Sequence, residues 1–542
     1  MKTFFTSLNG YKNEFSNFKE IVFQDVAYQI YIDGSIDGID ANSYMSVLLK
    51  YIKYGNRVND YLRGSYSLII INEYECFISK DHLGLRPIYY CYSNDCLMVS
   101  NSIKCLLDMG NIDPIVGSNE LLELFSLGPS ISEDKTLLKG IKQLPMGNYL
   151  YYNYKTIDVV KFYDLVAKVH VDSLGDTALK INSLIKDSCD SYSNSTSASF
   201  LSGGIDSSIL CKIASSKVLT TYSLDYEGNS ENFKGNNFQV SLDNAYIDIM
   251  QKAINSDHHS LTITQQELIK LLDDALLARE YPGMADIDSS LYWLCSKVKD
   301  SSIFSGECSD EIFGGYPWFY KESYLNSTTF PWLTHLDERK KLIHNQFKHL
   351  DINAYLDNCY QSTIKQVSYL PSDSEEDARA RLNTYITVHY FMQTLVTRQV
   401  CMSRANNIDI VAPFANVDLF DYVYNIPWRL KFHNNLEKGI LRYSFKDELP
   451  FEIAYRKKNP FPKTHNPVFA DMISKQISSC LDDPTSILHE LFDQDALLEL
   501  IETKGSSYNN PWYGQLMSGP QLLAYIYQIH YWFKSYNITL EK

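Results

Sequence analysis

The run SASFLSGGIDSSILCKIAS, Ser197–Ser215, decides how the second half of this chain is read. "SASFL" predicts a short strand, and Ile209, Leu210, Ile213 and Ala214 predict a helix. Between them lie Ser202-Gly203-Gly204-Ile205-Asp206-Ser207-Ser208. In an open parallel sheet, ligands bind beyond the carboxyl ends of the strands. A helix N-terminus there offers unpaired N–H groups and the positive end of a dipole. The glycines let backbone approach an anion, and the serines add donors. Asp206 would repel a phosphate unless a cation stood between them, so the string implies Mg²⁺. A tight turn with a serine cap is the competing reading. No Gly-Lys-Ser or Gly-Lys-Thr follows, which excludes the Walker phosphate loop.

Outward from this run, the period differs on the two sides. "VAYQIYIDGSID" alternates and is expected to turn at Asp33-Gly34. "GSYSLIIINEYECFISKD" predicts two strands around an Asn-Glu turn, "PIYYCYSNDCLMVSNS" two more, and "MGNYLYYNYKTIDVVKFYD" a last hairpin. A helix is expected over Ala41–Tyr54. Beyond Ser173, apolar helical periods alternate with short apolar runs such as "VLTTYSLDY" and "SSIFSG". That alternation predicts a parallel sheet covered by helices, followed by a mostly helical segment beyond Trp318. "DYEGNSENFKGNNFQ" is expected to be a surface loop. The expected domains are 1–168 and 173–542.

The 542 residues suffice for two or three domains. Hydrophobic content of 45% and charged content of 21% fit a globular chain. The formal net charge of −16 disfavours general binding to nucleic acid or anionic membrane. No run reaches the roughly 18–20 apolar residues of a membrane helix, and no signal-peptide core is seen, so the cytoplasm is expected. Eleven cysteines without a C-x-x-C pair predict buried free thiols rather than a zinc or disulfide framework.

The string S-G-G-x-D-S-S resembles the pyrophosphate loop of the ATP pyrophosphatase superfamily. "FSGECSDEIFGGYPWF", Phe304–Phe319, resembles the second signature of asparagine synthetases. "DHLGLRPIYY", Asp81–Tyr90, resembles a strand pair of their glutaminase domain. "KGIKQLPMGNYL", "VAPFANVDLFDYVYNIPWRLK", "KGILRYSFKDELP" and "RKKNPFPKTHNP" resemble later blocks, in order. The resemblance covers nearly the whole chain and points to the asparagine synthetase family. It implies an N-terminal Ntn-hydrolase-like antiparallel α+β sandwich and a C-terminal α/β ATP pyrophosphatase domain. It also implies adenylation of a substrate carboxylate by ATP with Mg²⁺, then attack by an amine or ammonia that expels AMP.

By motif match, Ser202, Gly203, Gly204, Asp206, Ser207 and Ser208 would hold the pyrophosphate end of ATP. Leu224 would line the adenine pocket, and Ser305 and Gly306 would contact the nucleotide. Asp206 and Asp310 would hold the metal; an N-cap role is the competing reading of Asp310. Lys458 and Glu307 are the catalytic candidates, one stabilising adenylation and the other orienting substrate or supporting the amine. A plain core role competes for Leu224, and a solvated surface charge competes for Lys458.

The pattern breaks in two places. Family glutaminases carry an N-terminal catalytic cysteine, whereas this sequence opens Met1-Lys2-Thr3 and its first cysteine is Cys76. The family's Asn-Gly-Glu-Ile-Tyr-Asn becomes Asp33-Gly34-Ser35-Ile36-Asp37-Gly38, which puts a carboxylate where an oxyanion donor is needed. The acidic residue that holds the glutamine amine is not evident in "DANSYMS". The expectation is a degenerate glutaminase domain. In the other half, a family run rich in Asp and Arg reads Thr397-Arg398-Gln399-Val400-Cys401-Met402-Ser403-Arg404, with two acids lost and an arginine gained. "EVRVPF" becomes Asp409-Ile410-Val411-Ala412-Pro413-Phe414. Altered choice of carboxylate or amine is expected; drift of a helix face competes.

The leading expectation is therefore an AMP-forming amide ligase without glutamine hydrolysis. Its role would be in specialised biosynthesis, such as lasso-peptide or β-lactam-like cyclisation. Ammonia-dependent asparagine synthesis and a non-catalytic homologue are the alternatives. Expected partners are a small-molecule or peptide carboxylate substrate, a precursor peptide or partner protein, and a second copy in a homodimer, with no nucleic acid and no membrane.

Overall fold

The computed structural model describes residues 3–541 apart from 9–13, 40–42, 194, 217–218, 236–240, 326, 334 and 509, with backbone alone at 14–16. The chain divides into two compact units. One comprises Met1–Glu123, Ile131–Leu165 and Asn537–Lys542; the other comprises Leu124–Ser130 and Val166–Tyr536.

The first unit is built on two antiparallel sheets. One runs in the order Lys142–Gln143, Tyr89–Ser93, Cys96–Ser100, Phe5–Leu8, Glu14–Ser16. The other runs Ile157–Lys161, Asn148–Tyr152, Cys76–Lys80, Gly64–Ile71, Val26–Ile36, Lys19–Phe23. The continuous apolar run Leu68–Ile71 follows from burial on both faces. Ile69 and Ile71 join Phe4, Ile88, Leu97 and Val99 between the sheets. Leu68 and Ile70 pack on Val47, Leu48 and Tyr51 of the helix Tyr44–Tyr54. The hairpin Tyr89–Ser100 turns at Asn94 and Asp95, both at positive φ, as a two-residue primed turn requires. The four-residue turn after Ile71 closes where Asn72 donates its N–H to the Glu75 carbonyl.

The turn expected at Asp33-Gly34 does not form. The strand continues to Ile36, paired residue for residue with Gly64–Ile71. Gly34 sits at φ +96°, against the Ser65 backbone and the Arg86 guanidinium, where a Cβ could not be accommodated. Of the helix expected over Ala41–Tyr54, Ala41 and Asn42 lie outside the described residues, and the helix begins at Tyr44.

The second unit holds a five-stranded parallel sheet: β1 Ala198–Phe200, β2 Leu219–Tyr226, β3 Ser256–Ile263, β4 Ser302–Phe304 and β5 Asp409–Val411. Its order is β3-β2-β1-β4-β5, every pair parallel. The chain steps outward from β1 to β3, then crosses to β4 on the other side of β1. The order therefore reverses between β1 and β4, and the crevice at their carboxyl ends is the topological switch point. The helices Leu174–Tyr192, Ile205–Ala214, Asn244–Ala253 and Asp286–Lys297 form as their apolar periods predict. The strand β3 carries "SDHHSLT", too polar to betray itself; it is a half-exposed edge strand. The expected loop Asp225–Gln239 contains one helical turn, Asn229–Asn232, and its residues 236–239 lie outside the described part.

All eleven cysteines are free. No helix among the described residues is long and apolar enough to cross a membrane.

Candidate active site

Two loops leave the adjacent strands at the switch point. The first follows β1. Gly203 adopts φ +67°, and a Cβ there would stand 2.6 Å from the Tyr246 Cβ, so only glycine fits. The turn is held from within: the Ser202 and Ser207 hydroxyls lie 3.1 Å apart, and Ser207 Oγ accepts the Ser202 N–H at 3.2 Å. It is held from outside by Arg456. That side chain donates to the Ser202 carbonyl at 2.9 Å, pairs with Asp243 at 2.5 Å and lies 3.9 Å over the Tyr246 ring. Gly204 is the N-cap of the helix Ile205–Ala214, leaving the helix N-terminus open as the sequence pattern requires.

The second loop follows β4 and enters the helix Ser309–Phe313. Ser305 donates its N–H to the Val411 carbonyl at 2.8 Å. A Cβ on Gly306 would meet the Asp206 Cβ at 2.9 Å, so the two loops touch here. Ser309 Oγ donates to Asp206 Oδ1 at 2.6 Å. The N-cap of the short helix is Cys308, at φ +73°, and Asp310 lies inside its first turn. The capping role considered for Asp310 is therefore taken by another residue.

A cavity of about 1300 Å³, its mouth included, opens on both loops. Ser202, Asp206, Ser207, Leu224, Ser305, Gly306, Glu307, Asp310 and Lys458 all line it. Gly203 and Gly204 shape the turn without lining it, and Ser208 is fully buried in the helix with an unpartnered hydroxyl. Leu224 is 9% exposed, in the wall with Ile247, Met284 and Phe461.

Charge organises the floor. Lys438 Nζ lies 2.7 Å from both Asp206 oxygens and 2.5 Å from Asp310 Oδ1. Lys458 pairs with Asp310 Oδ2. Burial alone would raise the Asp310 pKa, but Lys438 and Lys458 overcome it and hold the carboxyl at about 2. Burial likewise opposes the Lys458 ammonium, yet Asp310 and Asp206 keep its pKa above the ordinary lysine value. The next residue, Glu311, behaves oppositely. Burial, with Asp310 and Glu307 nearby, raises it to about 8, and Tyr316 Oη donates to it at 2.8 Å.

Lys438 is the residue that sequence reasoning missed. It lies within the block "KGILRYSFKDELP", but only folding brings it between two carboxylates far away in sequence. Its left-handed φ of 56° just before the helix Gly439–Phe445 is the local feature that aims it inward. Arg456, Asp243 and Glu437 were also unforeseen; Glu437 Oε1 accepts the Lys458 N–H at 2.8 Å.

The arginine that this run keeps has a definite place. Arg398, 2% exposed, donates from Nη2 to Glu307 Oε1 at 2.7 Å, and its guanidinium lies 5.0 Å from the Phe461 ring centroid. Arg398 and Gln399 of that run line the cavity, whereas the altered positions Thr397, Val400 and Arg404 do not. The altered "EVRVPF" block forms β5, the edge strand beside β4.

Asp206 and Asp310 suit Mg²⁺. They are hard oxygen donors, Asp310 ionised throughout the neutral range, and close enough to share one ammonium. Mg²⁺ is usually held by one or two carboxylates plus substrate phosphates. Among the described residues no cluster of three or more potential ligands competes for it.

A parallel sheet with two loops converging on paired Asp and Lys side chains at its switch point, on a chain that also folds an antiparallel sandwich, defines a two-unit nucleotide-site architecture. The asparagine synthase family model matches residues 181–534, and the glutamine amidotransferase domain model matches 37–163. The chain is 36% identical over 510 residues to asparagine synthetase (glutamine-hydrolyzing) 3 of Bacillus subtilis strain 168, covering 92% of this chain and 83% of that one. It is 26% identical over 300 residues to asparagine synthetase B (glutamine-hydrolyzing) of Escherichia coli K12, covering 51% and 47%. A solved structure of the allosteric regulatory enzyme of purine biosynthesis aligns at a TM-score of 0.21 and 11% identity over 36% of this chain and 53% of that one, too weakly to carry an argument. The chain belongs to the asparagine synthetase family. Membership supports an ATP-dependent ligase that forms carbon–nitrogen bonds.

Proposed function

We propose that this protein is an AMP-forming amide ligase that adenylates a substrate carboxylate and passes the acyl group to an amine or ammonia without hydrolysing glutamine. The observation that carries the adenylation half is the pairing of Asp206 and Asp310 around Lys438 and Lys458, next to the loop Ser202–Ser208. In this reading the loop N–H groups and the serine hydroxyls receive the β- and γ-phosphates. Leu224 packs on the adenine, and Ser305 and Gly306 approach the nucleotide through backbone. Asp206 and Asp310 would hold Mg²⁺, which supplies charge neutralisation between the phosphates. Lys458, already ionised, is placed to follow negative charge from Asp310 to the α-phosphate as the carboxylate attacks. Lys438, held between the two aspartates, accompanies the leaving pyrophosphate.

The second half of the reading concerns what attacks the adenylate. Glu307 is ion-paired with Arg398, so it faces the cavity with its charge compensated. A free carboxylate would attract a cationic amine; a neutralised one weakens that pull and leaves a guanidinium available to a substrate carboxylate. The acids lost at Thr397 and Val400 and the arginine gained at Arg404, on the helix that carries Arg398 and Gln399, support a substrate other than free aspartate plus ammonia, such as a peptide or β-amino acid closed by its own amine. Loss of glutamine hydrolysis is supported by Asp33, whose buried carboxyl is 3% exposed where an oxyanion donor would be needed. Cys76, the first cysteine, is buried in a strand, where burial pushes its thiol pKa far up, the reverse of a nucleophile's environment.

One second reading has an observation in its favour. Glu307 is retained, and a relative named asparagine synthetase is 36% identical over most of the chain, which favours ammonia-dependent asparagine synthesis. ATP–pyrophosphate exchange over a panel of carboxylates separates the two. Exchange with aspartyl peptides or β-amino acids but not aspartate supports the cyclising ligase, and exchange with aspartate supports the second reading. Absence of exchange with every carboxylate would sink both and favour a non-catalytic homologue.

A further inference from the structure

Within the second unit a separate cavity of about 500 Å³, mouth included, shares no lining residue with the first. Its wall holds a buried lysine. Lys431 closes the short helix Trp428–Lys431, is 2% exposed, and its ammonium has no hydrogen-bond or ion-pair partner among the described residues. Beside it is Arg381, 6% exposed. Arg381 spends Nε on Asp373 Oδ2 at 2.9 Å and Nη1 on Asn425 Oδ1 at 3.0 Å, while Nη2 meets no acceptor among the described residues.

The carboxylates in the wall are already engaged. Asp373 Oδ2 also accepts the Leu370 N–H at 2.8 Å. Asp377 accepts the Trp428 N–H at 2.6 Å on one oxygen and the Ser374 hydroxyl at 2.8 Å on the other. A buried, unanswered ammonium is unfavourable. The lysine responds as expected: burial, then Arg381, lowers it to about 7, with Asp377 opposing. The wall also holds the titratable His170, on the entering segment, which feels Lys431.

We propose that this cavity binds a small organic carboxylate, its charged end held by the Lys431 ammonium and Arg381 Nη2 and its body against Leu370, Ile426 and Pro427. A monoanion suits the site because Asp373 already balances Arg381 and Asp377 would repel a second negative charge. The proposal is independent of the reading of the first cavity.

Titration calorimetry of the full-length protein with butyrate, and separately with inorganic phosphate, tests it. Butyrate is expected to bind saturably, with phosphate at least tenfold weaker. The bound carboxylate favours the ammonium form. Binding therefore takes up a proton when Lys431 starts neutral, close to one at about pH 8 and little at about pH 6. Measuring the heat in two buffers of different ionisation enthalpy reads this directly. Lys431→Met should weaken butyrate binding at least tenfold. On the wild-type protein, butyrate should slow acetic-anhydride modification of Lys431, read by peptide mass spectrometry, and leave exposed Lys180 unchanged. That arm decides the matter if the variant does not fold. No saturable binding, equal binding by the variant, a preference for phosphate, or no protection of Lys431 would each overturn the proposal.

Discussion

Asp310 and Glu311 are neighbours in sequence whose carboxyls shift in opposite directions. Two lysines hold Asp310 at about 2, while burial with like charges holds Glu311 at about 8. A carboxyl raised on folding contributes stability that is full below the ordinary glutamate value and lost as pH rises through its folded value. Unfolding free energy should therefore contain a term that falls between about pH 4.5 and 8, and Glu311→Gln should flatten it in denaturant titrations. At the same scale, Lys458→Met should lower ATP–pyrophosphate exchange by about a hundred- to a thousandfold, the usual loss for a group that meets transition-state charge. An unchanged rate would place Lys458 outside the reaction. Arg398→Gln should shift the ranking of carboxylates in the exchange panel, because it frees Glu307 inside the cavity.

The two loops are matched elements, each shaped by a glycine at a close approach. Gly203 combines a left-handed φ with the Tyr246 Cβ at 2.6 Å. Gly203→Ala should therefore destabilise the protein by roughly 1–3 kcal/mol in thermal or denaturant unfolding and weaken ATP binding together with it. A variant as stable as wild type would mean that the turn is not held as described. Much of this element was legible beforehand, because strand, glycine-rich turn and helix follow one another within 19 residues. The Asp33-Gly34 turn was misread for a related reason. A glycine at positive φ ordinarily marks a turn, but here it lets a continuous strand pass against Ser65 and Arg86. The edge strand β3 was invisible because half its residues face solvent and carry no apolar signal.

For the molecule as a whole, the proposed reading is a synthetase unit on a chain that does not draw its nitrogen from glutamine. With ¹⁵N-amide glutamine as the sole nitrogen source, the product should carry no label, whereas ammonia or a substrate amine should restore turnover. Glutamate release from glutamine above background would overturn this. Cys76→Ser should leave turnover unchanged within error, since Cys76 is a buried strand residue remote from any thiolate chemistry.

The linear order of residues by itself determined the class of each unit: alternation for the antiparallel sheets, strand-turn-helix alternation for the parallel one. It also determined the glycine-rich loop Ser202–Ser208, because a loop that uses consecutive backbone groups must be written as a consecutive string. Only the tertiary structure decided that Lys438 stands between Asp206 and Asp310, that Arg398 neutralises Glu307, and that Lys431 is buried without a partner. Each joins side chains that are far apart in sequence or depends on what surrounds a single residue. Local spacing records neither, because charge pairing and desolvation act through space and are fixed only when the chain has packed.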